Sequence, residues 1–136
     1  MADCVFCMIR DNKIPGTRVF EDSKVLAFLD IGPVNKGHTL VIPKEHYETL
    51  LDIPDGLLEH LVVTTKKIAL AAMKAVDGKG VNVMISSYRA AGQLVPHAHF
   101  HVIPRHDGDG FRHWPQGRYE SQEEAQKCAA KISANL

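Results

Sequence analysis

Three histidines, His97, His99 and His101, alternate with Ala98, Phe100 and Val102 in a stretch that reads as one β-strand from Leu94 to Ile103, ended by Pro104. Successive side chains of a strand point to opposite faces, so the three imidazoles share one face at intervals of about 6.6 Å. Two chemistries can use such a row. Three histidines can chelate one metal ion and leave a position open for water, but the outer pair of a straight strand stands about 13 Å apart, a poor fit to a single ion. In the other chemistry one imidazole is a nucleophile, and its neighbours orient it, bind substrate oxygens or hold protons. With a reference pKa near 6.5, roughly three quarters of an imidazole population is neutral at pH 7 and carries a free lone pair. Attack on phosphorus would give a phosphorus–nitrogen bond that water later cleaves, dividing one hard displacement into two easier ones. The second ring nitrogen must then keep its proton and face an acceptor, which fixes the tautomer and supports the charge that develops. An ordinary core has no need of three titratable groups on one face.

Cys4 and Cys7 form a C-x-x-C pair, two thiols at zinc-ligand spacing. Alone it is a weak signal, equally open to a redox pair or to two buried thiols. The third cysteine, Cys128, cannot complete a set of disulfides and reads as a small apolar filler on the buried face of a tail helix.

The elements that must position these groups follow from pattern. Val5 to Ile9 reads as a short amphipathic helix stopped by polar residues and Pro15-Gly16. Residues 17–20 and 24–30 flank the turn Glu21-Asp22-Ser23 as an antiparallel hairpin, and Thr39 to Ile42 forms a third strand buried on both faces. From Asp55 to Val76 apolar residues recur at intervals of three and four, the mark of an amphipathic helix. Its apolar breadth, with Leu57, Val62 and Val63, exceeds what one sheet face absorbs. Val81 to Ile85 starts another strand. Ser121-Gln122-Glu123-Glu124 fits a capping box ahead of the tail helix. Short connections between mixed strands and helices give an α+β class with an antiparallel sheet.

The 136 residues are 45% hydrophobic and 24% charged, which fits a single domain over residues 1–136, with a core at 4–105 and a tail and helix at 106–136. Sixteen Lys and Arg balance sixteen Asp and Glu, so no global charge favours nucleic acid or an anionic membrane as partner. No apolar run approaches the ~20 residues of a membrane span, and Met1-Ala2-Asp3 opens with an acid where a secretory signal would be basic, so a cytoplasmic location is expected.

The segment His97-Ala98-His99-Phe100-His101-Val102-Ile103 resembles the signature of the histidine triad (HIT) superfamily, in particular bacterial hydrolases related to its Hint and Fhit branches. Ile14-Pro15, Val25 to Ile31, Gly37 to Lys44, Ala91-Gly92-Gln93 and Asp107-Gly108-Asp109-Gly110 resemble further landmarks in family order. The resemblance implies a five-stranded antiparallel sheet with one long helix and one or two short or terminal ones, joined in a homodimer into a ten-stranded sheet. It implies a hydrolase or transferase acting at the α-phosphate of purine nucleoside phosphoramidates or dinucleoside polyphosphates. His99 would be the nucleophile that carries the nucleotide. His101 would contact phosphate oxygens, His97 and His38 would support the nucleophile, and Gln93 would hydrogen-bond the phosphate region. Asp30 would accept from the ribose hydroxyls, as an ionised carboxylate can, and Phe6, Ile14, Phe28 and Ile31 would wall the base. Ser86 stands where many relatives have an Asn that helps to bind nucleotide, and Leu94 stands where many have Ser or Thr. By the same resemblance Cys4, Cys7, His46 and His97 would hold a structural zinc, with no organic cofactor. Two other readings stay open: a nucleotide-binding adaptor or sensor without catalysis, and a zinc hydrolase with the triad as ligands.

Overall fold

The computed structural model describes residues 4–136, and the N-terminal acid Asp3 lies outside them. Helix α1 (Val5–Arg10) is followed by β1 (Arg18–Glu21), β2 (Val25–Leu29), β3 (Thr39–Pro43), α2 (Asp55–Ala75), β4 (Gly80–Met84), β5 (Phe100–Arg105) and α3 (Gln122–Ala134). The strands form one antiparallel sheet in the order β1-β2-β3-β5-β4. The hairpin, the third strand and the long helix all lie within a residue or two of where pattern places them.

Period-two alternation gives each sheet face its own core. Phe100 and Val102 of β5 join Val25, Ala27 and Val41 against Leu61, Ile68 and Ala69 of α2. The other face carries Leu26, Phe28, Leu40 and Ile42, packed by Phe6, Cys7 and Ile9 of α1. His101, between Phe100 and Val102 and opposite Leu40 in the register, therefore lies on the face that α1 partly covers. No helix among the described residues is long and apolar enough to cross a membrane.

Four expectations are corrected. The strand expected from Leu94 begins at Phe100. Pro96 has no N–H to give a ladder, the His97 N–H turns back to the Val95 carbonyl at 2.8 Å, and the Ala98 N–H goes to Tyr47 at 2.7 Å. The same strand passes through Pro104 to Arg105. The Pro104 carbonyl accepts from Asn35 Nδ2 at 2.9 Å in the loop before β3, so its missing N–H is lost on that side and not from the pairing with β4. The tail helix α3 has no buried residue, and Cys128 is only half-buried. Its cap is partial: Ser121 Oγ accepts from the Glu124 N–H at 3.1 Å, but the Glu124 carboxylate takes the N–H of Glu120, one residue before the cap.

Candidate functional site

The irregular path from Leu94 to His99 breaks the expected row of imidazoles and gives each ring its own partners. Buried His97 turns Nε2 to the Pro43 carbonyl at 2.8 Å. A carbonyl only accepts, so Nε2 carries the proton and the lone pair of the neutral ring is on Nδ1. His99 turns Nδ1 to the carbonyl of His97 at 2.7 Å, which puts its proton on Nδ1 and its lone pair on Nε2. His38 Nδ1 lies 3.1 Å from the Val34 N–H and must accept, so Nε2 carries the proton. That proton is given to His101 Nδ1 at 2.9 Å, which leaves His101 an N–H at Nε2. A backbone group at one end of each chain thus assigns the tautomers of these four rings.

The rings pack closely: centroids of His99 and His101 are 4.9 Å apart, those of His38 and His101 5.2 Å, and Phe6 meets His99 edge-on at 5.0 Å. Burial pushes all four imidazoles below their ordinary value, His101 to about 4, and the Asp30 carboxylate partly opposes this at His38, His99 and His101. Asp30 Oδ2 is 3.6 Å from His38 Nε2, and Oδ1 accepts the Gly32 N–H at 2.8 Å.

His97 Nδ1 faces a second cluster. It lies 3.4 Å from Cys4 Sγ, 3.6 Å from Cys7 Sγ and 3.1 Å from His46 Nδ1, and Cys7 Sγ lies 3.4 Å from His46 Nδ1. All four donor atoms lie within 4.8 Å of one another. With zinc–sulfur bonds of about 2.3 Å and zinc–nitrogen bonds of about 2.0–2.1 Å, the edges of a tetrahedron run from about 3.3 to 3.8 Å. The donor set is soft and closed, and the Pro43 carbonyl fixes His97 in the tautomer a metal needs. These residues fit a tetrahedral zinc. The triad as a whole does not: His97 looks to the cysteines, His99 to a carbonyl and His101 to His38, so the three do not converge on one ion.

A cavity of about 590 Å³ opens beside the triad. Phe6, Ile14, Phe28, Asp30 and Ile31 all line it, as do Leu29 and Pro33; Ile31 is fully exposed at its rim. The Asp30 carboxylate is the one charged group in an otherwise largely apolar lining, an arrangement that can orient a ligand with an apolar body and polar groups. Ser86 is half-buried in the loop after β4 and is not part of that lining. Gln93 is buried and engaged with the backbone. Its amide nitrogen donates to Glu48 and Val95 carbonyls at 2.6 and 3.0 Å, and its oxygen accepts the Tyr88 N–H at 2.7 Å. The side chain therefore ties the loop before His97 together, where a phosphate contact was expected. Leu94 is almost wholly exposed.

Sequence reasoning missed the residues that hold His38. Asn35, Arg105 and Asp109 form one network, of which the sequence singles out only the Asp107–Gly110 stretch, without a role. The backbone donor Val34 at His38, like the acceptor Pro43 at His97, carries no side-chain signal at all.

The family model for the HIT domain matches residues 11–108. A crystal structure of a HIT family member from Bacillus subtilis superposes with a TM-score of 0.90 and 40% identity, over 98% of this chain and 97% of that one. A zinc-bound histidine triad family protein from Mycobacterium smegmatis gives 0.77 and 38%, over 99% of each chain. An adenosine 5'-monophosphoramidase from Candida albicans is 39% identical over 110 residues, 78% of this chain and 72% of that protein. With its triad on β5 and the segment just before it, its five-stranded sheet and these relatives, the chain belongs to the histidine triad family.

Proposed function

We propose that this protein is a nucleotide hydrolase or transferase that cleaves purine nucleoside phosphoramidates or dinucleoside polyphosphates at the α-phosphate, through a nucleotide carried on His99. The observation that carries the reading is the 2.7 Å hydrogen bond from His99 Nδ1 to the His97 carbonyl, which leaves the lone pair on Nε2 of a ring that packs edge-on against Phe6, a wall of the cavity. In the first step Nε2 forms a bond to phosphorus, and the bond from phosphorus to the leaving nitrogen or oxygen breaks with its electron pair. The leaving group takes a proton from solvent. The ring keeps its Nδ1 proton, and the His97 carbonyl faces the positive charge that results. In the second step water attacks phosphorus, the phosphorus–nitrogen bond breaks, and Nε2 recovers its lone pair; the nucleoside monophosphate leaves and the water proton passes to solvent. The Nε2–H of His101 would hydrogen-bond the phosphoryl oxygens, Asp30 would accept from the ribose, and Phe6, Ile14, Phe28 and Ile31 would hold the base.

The same reading gives Cys4, Cys7, His46 and His97 a structural zinc, which would tie the start of α1 to the segment that bears His99. A second copy of the chain would join at the edge strand β4, where Val83 and Met84 are exposed, and at the exposed Val62, Val63 and Leu70 of α2.

The test is release of AMP from adenosine phosphoramidate by the parent and by His99→Ala, with and without prior chelation. Turnover by the parent and none by His99→Ala supports the reading. Equal turnover by both would remove His99 from the mechanism, and tight nucleotide binding with no turnover of either adenosine phosphoramidate or a dinucleoside polyphosphate would replace the enzyme with an adaptor or sensor.

A further inference from the structure

His38 sets the proton pattern of the site, and it depends on a loop that has to be held in place. Val34, whose N–H fixes His38 Nδ1, lies on that loop, and the His38 N–H itself donates to the Asn35 carbonyl at 3.1 Å. Asn35 is the fastening. Its amide nitrogen gives one hydrogen bond to the Pro104 carbonyl at 2.9 Å and one to Asp109 Oδ2 at 2.8 Å. Asp109 in turn is fixed from several sides. Arg105 donates to both of its oxygens, from Nε at 2.8 Å and from Nη2 at 2.7 Å, and the N–H groups of His106 and Phe111 add bonds of 3.0 and 3.1 Å. One nearly buried carboxylate thus accepts five hydrogen bonds, all but one from the end of β5 and the turn that follows it. His101 lies on that strand, so both ends of the His38–His101 hydrogen bond are referred to the same element.

We propose that Asp109 is a positioning residue for the triad: through Asn35 it holds the loop of His38, so that His38 gives its Nε2–H to His101 and His101 keeps its own Nε2–H for the phosphoryl group. The role rests on the nucleotidyl-transfer reading above. Asp109 touches no reacting atom and needs no change of charge. Its carboxylate accepts the Asn35 amide, and the Asn35 carbonyl and the Val34 N–H pass that position on to the two ends of His38. Freed of the fastening, His38 could rotate or change tautomer, and His101 would lose its fixed donor. A shift of about 1 Å at a catalytic group can cost up to about a hundredfold in rate.

Asn35→Ala is the cleaner variant, because it cuts the bridge and leaves the Arg105–Asp109 pair intact; Asp109→Asn is the companion. The expected result with adenosine phosphoramidate is a fall in kcat of roughly ten- to a hundredfold, with KM changed by no more than about twofold, in protein with the parent's circular dichroism. The proton between His38 and His101 should give a protected downfield N–H resonance in the parent, exchanging rapidly with water in both variants. In a His38→Ala background Asn35→Ala should cost nothing further, because it acts through the missing ring. Full kcat with the resonance intact in folded Asn35→Ala overturns the proposal, and so do losses that simply multiply in the double variant. A parent without any turnover would strike down the proposed function instead, and the resonance alone would then decide whether the bridge holds His38.

Discussion

The chemistry of single residues here is decided by backbone groups. His99 is set apart from its two neighbours by one carbonyl, that of His97, so His99→Ala should lower turnover by at least about a thousandfold while the fold stays intact, measured by steady-state kinetics and circular dichroism. His101 makes a second prediction. Burial and its neighbours His99 and His38 push its pKa down to about 4, against the opposing pull of Asp30. In the unfolded chain it titrates near 6.5. Between about pH 6.5 and 4 the unfolded state therefore binds the proton and the folded state does not, so His101 costs stability as pH falls through that window and nothing more below it. Urea unfolding at pH 7 and pH 4.5 should show a smaller difference between the two pH values for His101→Asn than for the parent. An equal difference would remove His101 from the acid sensitivity of the fold.

At the scale of elements, the loop into β3 and the contact of α1 with the triad segment matter most. Gly37 has φ +92°, and a Cβ there would lie 3.2 Å from both Pro104 Cγ and Val76 Cγ1. Gly37→Ala should destabilise by about 1–3 kcal/mol and disturb His38 next to it; an unchanged urea midpoint would contradict this. The hold of α1 on the sheet can be tested through the proposed zinc site. Cys7→Ser should lose most of the zinc found in protein purified without chelator, and the melting temperature should fall with it. Zinc content below about a tenth of an equivalent in the parent would refute the site as a zinc site.

At the scale of the molecule, the sheet leaves β4 as an edge, with Val83 and Met84 exposed, and α2 exposes Val62, Val63 and Leu70. Unpaired strand edges and apolar faces of this kind favour association. Sedimentation at micromolar concentration should give twice the mass of one chain. A monomer would leave these residues without the proposed partner, with the α1 face of the sheet, where the histidines lie, unaffected. The tail belongs to this scale as well: α3 has no buried residue, and its half-buried Cys128 faces Tyr119 Oη at 3.9 Å.

The sequence by itself determined the element order, because the 3.6-residue period of α2 and the short apolar runs of β2 and β3, bounded by turn residues, mark which residues must be buried. It also determined which residue types could do chemistry, since the alternating histidines and the paired cysteines stand out locally. It could not supply the path of Leu94 to His99, where Pro96 and two hydrogen bonds outside the sheet override a strand-like pattern. Nor could it tell which nitrogen of each histidine carries the proton. That depends on carbonyls of Pro43 and His97, which every residue type presents, and on the N–H of Val34, which every type but proline presents. The gathering of Cys4, Cys7, His46 and His97, and the linking of Asn35 to Asp109 across 74 positions, arise only when the chain folds back on itself. Spacing along a chain constrains neighbours within a strand or a helix, whereas contacts between elements are set by packing, and only the tertiary structure decides them.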